Sequence, residues 1–143
     1  MVMILPDSES LARDALEHHL VRDFKRTDTS VRVIMPNDWI KLFPLVTIRK
    51  SSGTARNARY LDSGVFTVHC FASSRKEASL LSRQVRRALA DACLERYSDG
   101  EGALTYFKEI TGPLYSSGDT QLNHPDVHRF VASYILYSHP ASG

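Results

Sequence analysis

The chain has 143 residues, of which 43% are hydrophobic and 24% charged, with a formal net charge of +2. That length supports one domain around a single core and is short for two, and the composition indicates neither a disordered nor a membrane-embedded chain. The mild basic balance does not by itself imply nucleic acid. Charge is unevenly spread, however: Arg and Lys crowd residues 49–96, while Asp and Glu lie mostly near the start and at Asp99 and Glu101.

The opening run Met1-Val-Met-Ile-Leu-Pro6 is apolar but has no basic flank, and proline and acid interrupt it. It reads as neither a signal sequence nor an anchor, so synthesis and residence in a cytoplasm are expected. Asp7 and Ser8 can accept hydrogen bonds from the free N–H groups of a helix start, and Leu11, Ala12, Ala15, Leu16, Leu20 and Phe24 follow at helical spacing. Residues 23–30 are polar and end that helix.

Val31-Arg-Val-Ile-Met35 reads as a strand stopped by Pro36, which lacks the donor a ladder needs. Residues 45–49 and 65–71 form two further β-branched, apolar runs. The stretch between them, 51–64, is Ser-, Gly- and Arg-rich and too long for a tight hairpin turn, so it is expected to be a long functional loop. A second helix is predicted over about 74–97. Ser74 and Glu77 make a capping box at its start, and Ala78, Leu81, Val85, Ala88, Leu89 and Ala92 form its buried stripe, with Lys76, Arg83, Arg86 and Arg87 turned away.

Residues 103–110 are expected as a strand, 111–127 as another extended loop rich in Gly and Pro, and the chain closes on Arg129-Phe-Val-Ala-Ser-Tyr-Ile-Leu-Tyr137. In that last strand Phe130, Ala132, Tyr134 and Leu136 share one face, and Val131, Ser133, Ile135 and Tyr137 the other. Alternation with polar residues is expected where one face is wet. Here both faces want cover. Two helices can shield one side of a small sheet, which leaves the second for a loop, for the sheet's own curl, or for another subunit. The fold class is therefore α+β, a small antiparallel or mixed sheet with two helices packed on one face, in a single domain spanning 1–143.

No catalytic motif accompanies this order. His124 and His128 flank Asp126 within five residues, which a metal could use, but no remote Cys or His set completes a site, and a polar turn explains them as well. His18 and His19 are adjacent on a helix and cannot share a face. His69 and Cys70 are adjacent in a strand, so their side chains point to opposite faces and form no dyad. Cys70 and Cys93, the only cysteines, lack paired spacing and read as two buried thiols. Neither a nucleophile elbow nor a phosphate-cradling glycine loop is present. No enzyme, cofactor or metal is implied.

Arg49, Lys50, Arg56, Arg59, Arg75, Lys76, Arg83, Arg86 and Arg87 are the better-supported set. They could face phosphates, form an ordinary solvated helix face, or pair with Asp7, Glu9, Asp14 and Glu17 of a neighbouring subunit, as a ring of identical chains would allow. Trp39 and Tyr60 are large aromatics of the kind that anchor interfaces, Tyr60 being the stronger candidate and Trp39 equally suited to a core.

The arrangement resembles the tail-terminator, or tail-completion, proteins of long-tailed bacteriophages. The likeness is carried by the N-terminal helix, Pro44-Leu-Val-Thr-Ile48, the long loop, Asp62-Ser-Gly-Val-Phe-Thr-Val68, Ser73-Ser-Arg-Lys-Glu-Ala78 entering a helix, and a late loop running into His128-Arg-Phe-Val-Ala-Ser-Tyr134. It covers most of the chain. The resemblance implies a structural virion protein, a homo-oligomer forming a ring, usually a hexamer, at the head-proximal end of the tail tube. Such a ring ends tube polymerisation and presents a surface for head–tail joining.

Its partners would be the tail-tube protein and head–tail connector or neck proteins, with non-specific DNA contact in the lumen and no membrane. The interface candidates are then Arg56, Arg59, Tyr60, Arg83, Arg86, Arg87, Tyr134 and Tyr137. A connector or neck protein, a small basic nucleic-acid-binding domain, and a small hydrolase or metal enzyme centred on His124 and His128 are the other readings.

Overall fold

In a computed structural model the described residues are 2–116 and 127–141. Helix α1 spans Ser8–Phe24. Asp7 accepts from the backbone N–H of Ser10 at 3.3 Å, and Lys25, in the left-handed conformation, closes the far end. Strand β1 (Ser30–Arg32) and a 3₁₀ turn (Trp39–Leu42) lead into β2 (Leu45–Asn57) and β3 (Leu61–Ala72). Helix α2 (Arg75–Leu94) follows, with Ser74 accepting from the N–H of Glu77 at 3.2 Å. Strands β4 (Gly102–Tyr115) and β5 (His128–Pro140) complete the chain.

Among the described residues the five strands form one mixed sheet in the order β1-β2-β3-β5-β4. Only β1 is parallel to its neighbour. Both helices cover the same face of the sheet. Their apolar stripes, Leu11, Leu16 and Leu20 on α1 and Leu81, Val85 and Leu89 on α2, meet Val46 and Ile48 of β2, Phe66, Val68 and Cys70 of β3, and Ala132, Tyr134 and Leu136 of β5. This is the α+β fold expected, organised round one main core.

Three local expectations are corrected. Residues 51–64 are no loop: β2 runs on along the edge of the sheet as an arm, paired with β3 down to Asn57 and Leu61 and turning at 58–60, while β3 there pairs β5 on its other side, Asp62 with Ser138 and Ser63 with Tyr137. Residues 111–115 likewise belong to β4. The strand expected over 31–35 ends at Arg32, because β1 pairs only Leu45, Val46 and Thr47 and leaves Ile34 exposed beyond them.

The arm reads as loop because its burial pattern is polar on both sides. Residues 51–56 of β2 are exposed on both faces at the edge of the sheet, so neither face needs apolar residues. Close pairing there requires glycine. Gly53, at φ 150°, packs against Gly64, and a Cβ on Gly53 would lie 2.3 Å from the carbonyl oxygen of Ser63.

Candidate functional site

The face of the sheet turned away from the helices carries the surface of interest. Its alternate residues Val65, Thr67 and His69 on β3 and Val131, Ser133, Ile135 and Tyr137 on β5 are half-buried, while their neighbours in sequence are buried under the helices. Tyr137 packs against Tyr106 of β4, with ring centroids 4.9 Å apart and the rings tilted by 52°. At one corner Trp39, Phe43, Leu45, Phe71 and Val127 build a second small core, and Trp39 packs there on Phe71 rather than projecting as an anchor. The two-faced last strand thus has one face under helices and the other only partly covered.

The interface candidates fall into separate places. Tyr60 sits at the tip of the arm and is 56% exposed. Arg56 and Arg59 are exposed beside it, Arg56 with its guanidinium 5.4 Å from the centre of the Tyr137 ring. Tyr134, by contrast, is fully buried on the helix side against Phe107, so it is a core residue of this subunit and offers no surface.

On α2, Arg86 is joined to Glu109 at 2.6 Å, Arg87 to Asp91 at 2.8 Å, and Arg83 donates to the carbonyl of Ser79 at 3.3 Å. Arg49 lies 3.8 Å from Glu9 of α1, and Lys50 bonds Asp62 at 2.9 Å. The basic residues therefore split between the arm and α2, and four of the nine, Arg49, Lys50, Arg86 and Arg87, are already paired with carboxylates of their own chain. That pairing was anticipated as intersubunit; for Glu9 it is internal.

Chemistry of the catalytic kind finds no footing among these groups. Cys70 faces the helix-side core while His69 points to the opposite face, stacked on Phe71. Burial pushes the Cys70 thiol well up and that of Cys93 to about 12, so both stay protonated at neutral pH. Burial, with the charge of Arg129 second, pushes His69 down. His19 is a buried helix residue bonded to the Ala15 carbonyl and to Glu95. His128 meets the Tyr115 hydroxyl at 2.9 Å, and His124 lies outside the described residues. Among the described residues no three His, Cys, Asp or Glu side chains converge as metal ligands, and no helix is long and apolar enough to cross a membrane.

A family model described as phage tail termination protein matches residues 5–123. The chain belongs to that family. Its role is thus structural, in the phage tail, and its place is the virion. A chain of the virion of a native gene transfer agent particle is similar to this one, at 10% identity and a TM-score of 0.54, covering 91% of this chain and 96% of the other. The gp17 protein of bacteriophage SPP1 aligns at 13% identity and a TM-score of 0.45, covering 95% and 92%. No curated protein matches. At such identities the gene transfer agent chain shares the fold, and the family assignment rests on the sequence match.

Proposed function

We propose that this protein caps the head-proximal end of the phage tail tube as a closed ring, six copies by family resemblance, and so ends tube polymerisation and offers a surface for head–tail joining. The observation that carries this reading is the combination of the family match with a subunit whose edge strand β2 is exposed over residues 51–56, has no strand on its outer side there among the described residues, and ends in an exposed turn at 58–60. An exposed sheet edge leaves backbone N–H and C=O groups without strand partners, and a ring of identical subunits supplies the missing contacts. The tail-tube protein and a connector or neck protein are the partners at the two rims. DNA contact through α2 is weakened as an alternative, because Arg86 and Arg87 already hold carboxylates.

The test is negative-stain imaging of virions made without this protein. Overlong tails, or tails without heads, are expected. Tails of ordinary length joined to heads would overturn the proposal. Mass photometry of the purified protein, alone and with tail tubes, reads the ring itself.

A further inference from the structure

The strand directions fix where the two unpaired edges of the sheet lie. β4 is an edge strand of 14 residues. Bulges at Ile110 and at 112–113 blunt its second half, whereas its first half, Gly102 to Glu109, pairs β5 with one bulge, at Thr105. At the other edge β1 covers only Leu45, Val46 and Thr47 of the 13-residue β2, and Glu9 of α1 accepts from the backbone N–H of Lys50 at 2.9 Å, which leaves Ser51 to Asn57 open on that side among the described residues.

These two free edges sit at the same end of the sheet. Thr54 is level with Ser63, Ser63 with Tyr137, and Tyr137 with Tyr106. Ser52, Val65, Ile135 and Lys108 form the next such row. Because β2, β3, β5 and β4 alternate in direction, a second copy placed beside β4 in the same orientation presents its β2 antiparallel to β4.

That placement also brings opposite charges together. The arm tip, with Arg56, Arg59 and Tyr60 exposed, arrives at the start of the neighbour's β4, where Asp99 and Glu101 are exposed. Among the described residues neither Arg56 nor Arg59 has a carboxylate within ion-pair distance in its own chain. Beside Glu101 lies a cavity of about 260 Å³ lined by Met3, Ile4, Leu5, Pro6 and Pro140. It is apolar with one acidic wall, and it suits a phenol ring followed by a guanidinium.

From this geometry we infer that the subunit contact is strand addition: the open edge of β2 in one copy pairs antiparallel with the first half of β4 in the next, and the arm tip docks at Glu101. The occupant of each edge is thus a second copy of this chain, in a head-to-tail contact of the kind that closes rings. The inference rests on the ring reading above and names the surface that makes it.

Disulfide trapping tests it. Within one chain β2 and β4 are separated by two strands, about 14 Å at the usual strand spacing, beyond the Cα separation of up to about 7 Å that a disulfide spans. Any bond between these positions therefore joins two chains. Cys70 and Cys93 are buried and do not compete. Thr54→Cys protein is mixed with Tyr106→Cys, Lys108→Cys or Ile110→Cys protein under mild oxidation.

At least one mixture is expected to give covalent dimer while each variant by itself stays monomeric on a denaturing gel. A chain carrying both cysteines should give a ladder that ends at the ring's copy number. Arg56→Glu with Arg59→Glu should weaken the oligomer at least tenfold in concentration, and Glu101→Arg should restore part of that loss.

Dimers from one variant alone would mean like-with-like edges and overturn the head-to-tail contact. A ring that forms without any trapped pair, and that tolerates the charge reversal, would overturn strand addition and leave the ring standing. If no closed oligomer forms, alone or on tubes, the ring reading itself fails.

Discussion

Arg86 on α2 and Glu109 on β4 meet Nε to Oε1 at 2.6 Å, above a glycine whose Cβ, if present, would lie 2.4 Å from the guanidinium. Gly112 thus leaves room for Arg86 to lie down on β4. The pair ties α2 to the edge strand of the sheet. Both side chains are more than a third exposed, so solvent screens the attraction, and Arg86→Ala is expected to cost less than about 1 kcal/mol, read from urea midpoints. Replacing Arg83, Arg86 and Arg87 together should leave any retention of the protein on a DNA column unchanged. Binding that falls steeply with salt and vanishes in the triple variant would restore the nucleic-acid reading.

The helices and core strands were legible because burial on one side imposes a period. Leu11, Leu16 and Leu20, like Leu81, Val85 and Leu89, announce their face by spacing alone. The arm was not, because residues 50–60 stand outside the core and carry no such period. Gly53 and Gly64, read as loop glycines, instead allow two backbones to close on each other. Tyr134 was misplaced for the opposite reason: with apolar residues on both faces of β5, parity could not say which face the helices take.

The same two glycines give a test of the arm. Gly53→Ala forces a Cβ into the Ser63 carbonyl at a backbone angle that L-residues rarely adopt. Amides of residues 51–61 should exchange faster by at least an order of magnitude, while those of Phe66, Val68 and α2 keep their protection. Equal loss throughout the chain would show instead that the arm is part of the global folding unit.

Glu95 links the helix layer to pH. Arg22 donates to both of its carboxylate oxygens at 2.8 Å, and His19 lies 3.2 Å away. Hydrogen bonding from Arg22, ahead of every other influence, holds the Glu95 carboxyl down to about 2. A folded value below the unfolded one, about 4.3 for glutamate, means that stability from this group is complete above that pH and is lost as pH falls toward 2. The urea midpoint of the native protein should therefore exceed that of Glu95→Gln at pH 6, and the gap should close between pH 4.5 and 2. A gap that persists at pH 2 would show that the effect is steric.

Both thiols should be silent in the folded subunit. Cys70 and Cys93 are 2% and 3% exposed, and burial raises both, Cys93 to about 12. At pH 8 a free cysteine is about a quarter thiolate, given a pKa near 8.5, so both should react with a chromogenic disulfide roughly 10³-fold more slowly than free cysteine, or slower still. Denaturant should then release two thiols per chain. One rapidly titrating thiol in the native protein would place Cys93 at an opening of the core.

Tyr134 offers the sharpest test of which face of β5 is inside. Its ring is fully buried against Phe107, and its hydroxyl is shut away from water near Arg86 without a well-formed hydrogen bond. Removing the ring leaves a large cavity beneath α2, so Tyr134→Ala should cost about 3–5 kcal/mol. Removing only the hydroxyl relieves a buried polar group that gains little in place, so Tyr134→Phe should shift stability by less than about 1 kcal/mol in either direction. Tyr137→Ala, on the open face, should cost the isolated subunit little by comparison and act on assembly. Were the two faces exchanged, the order of these losses would invert, with Tyr137→Ala the severe variant in the monomer.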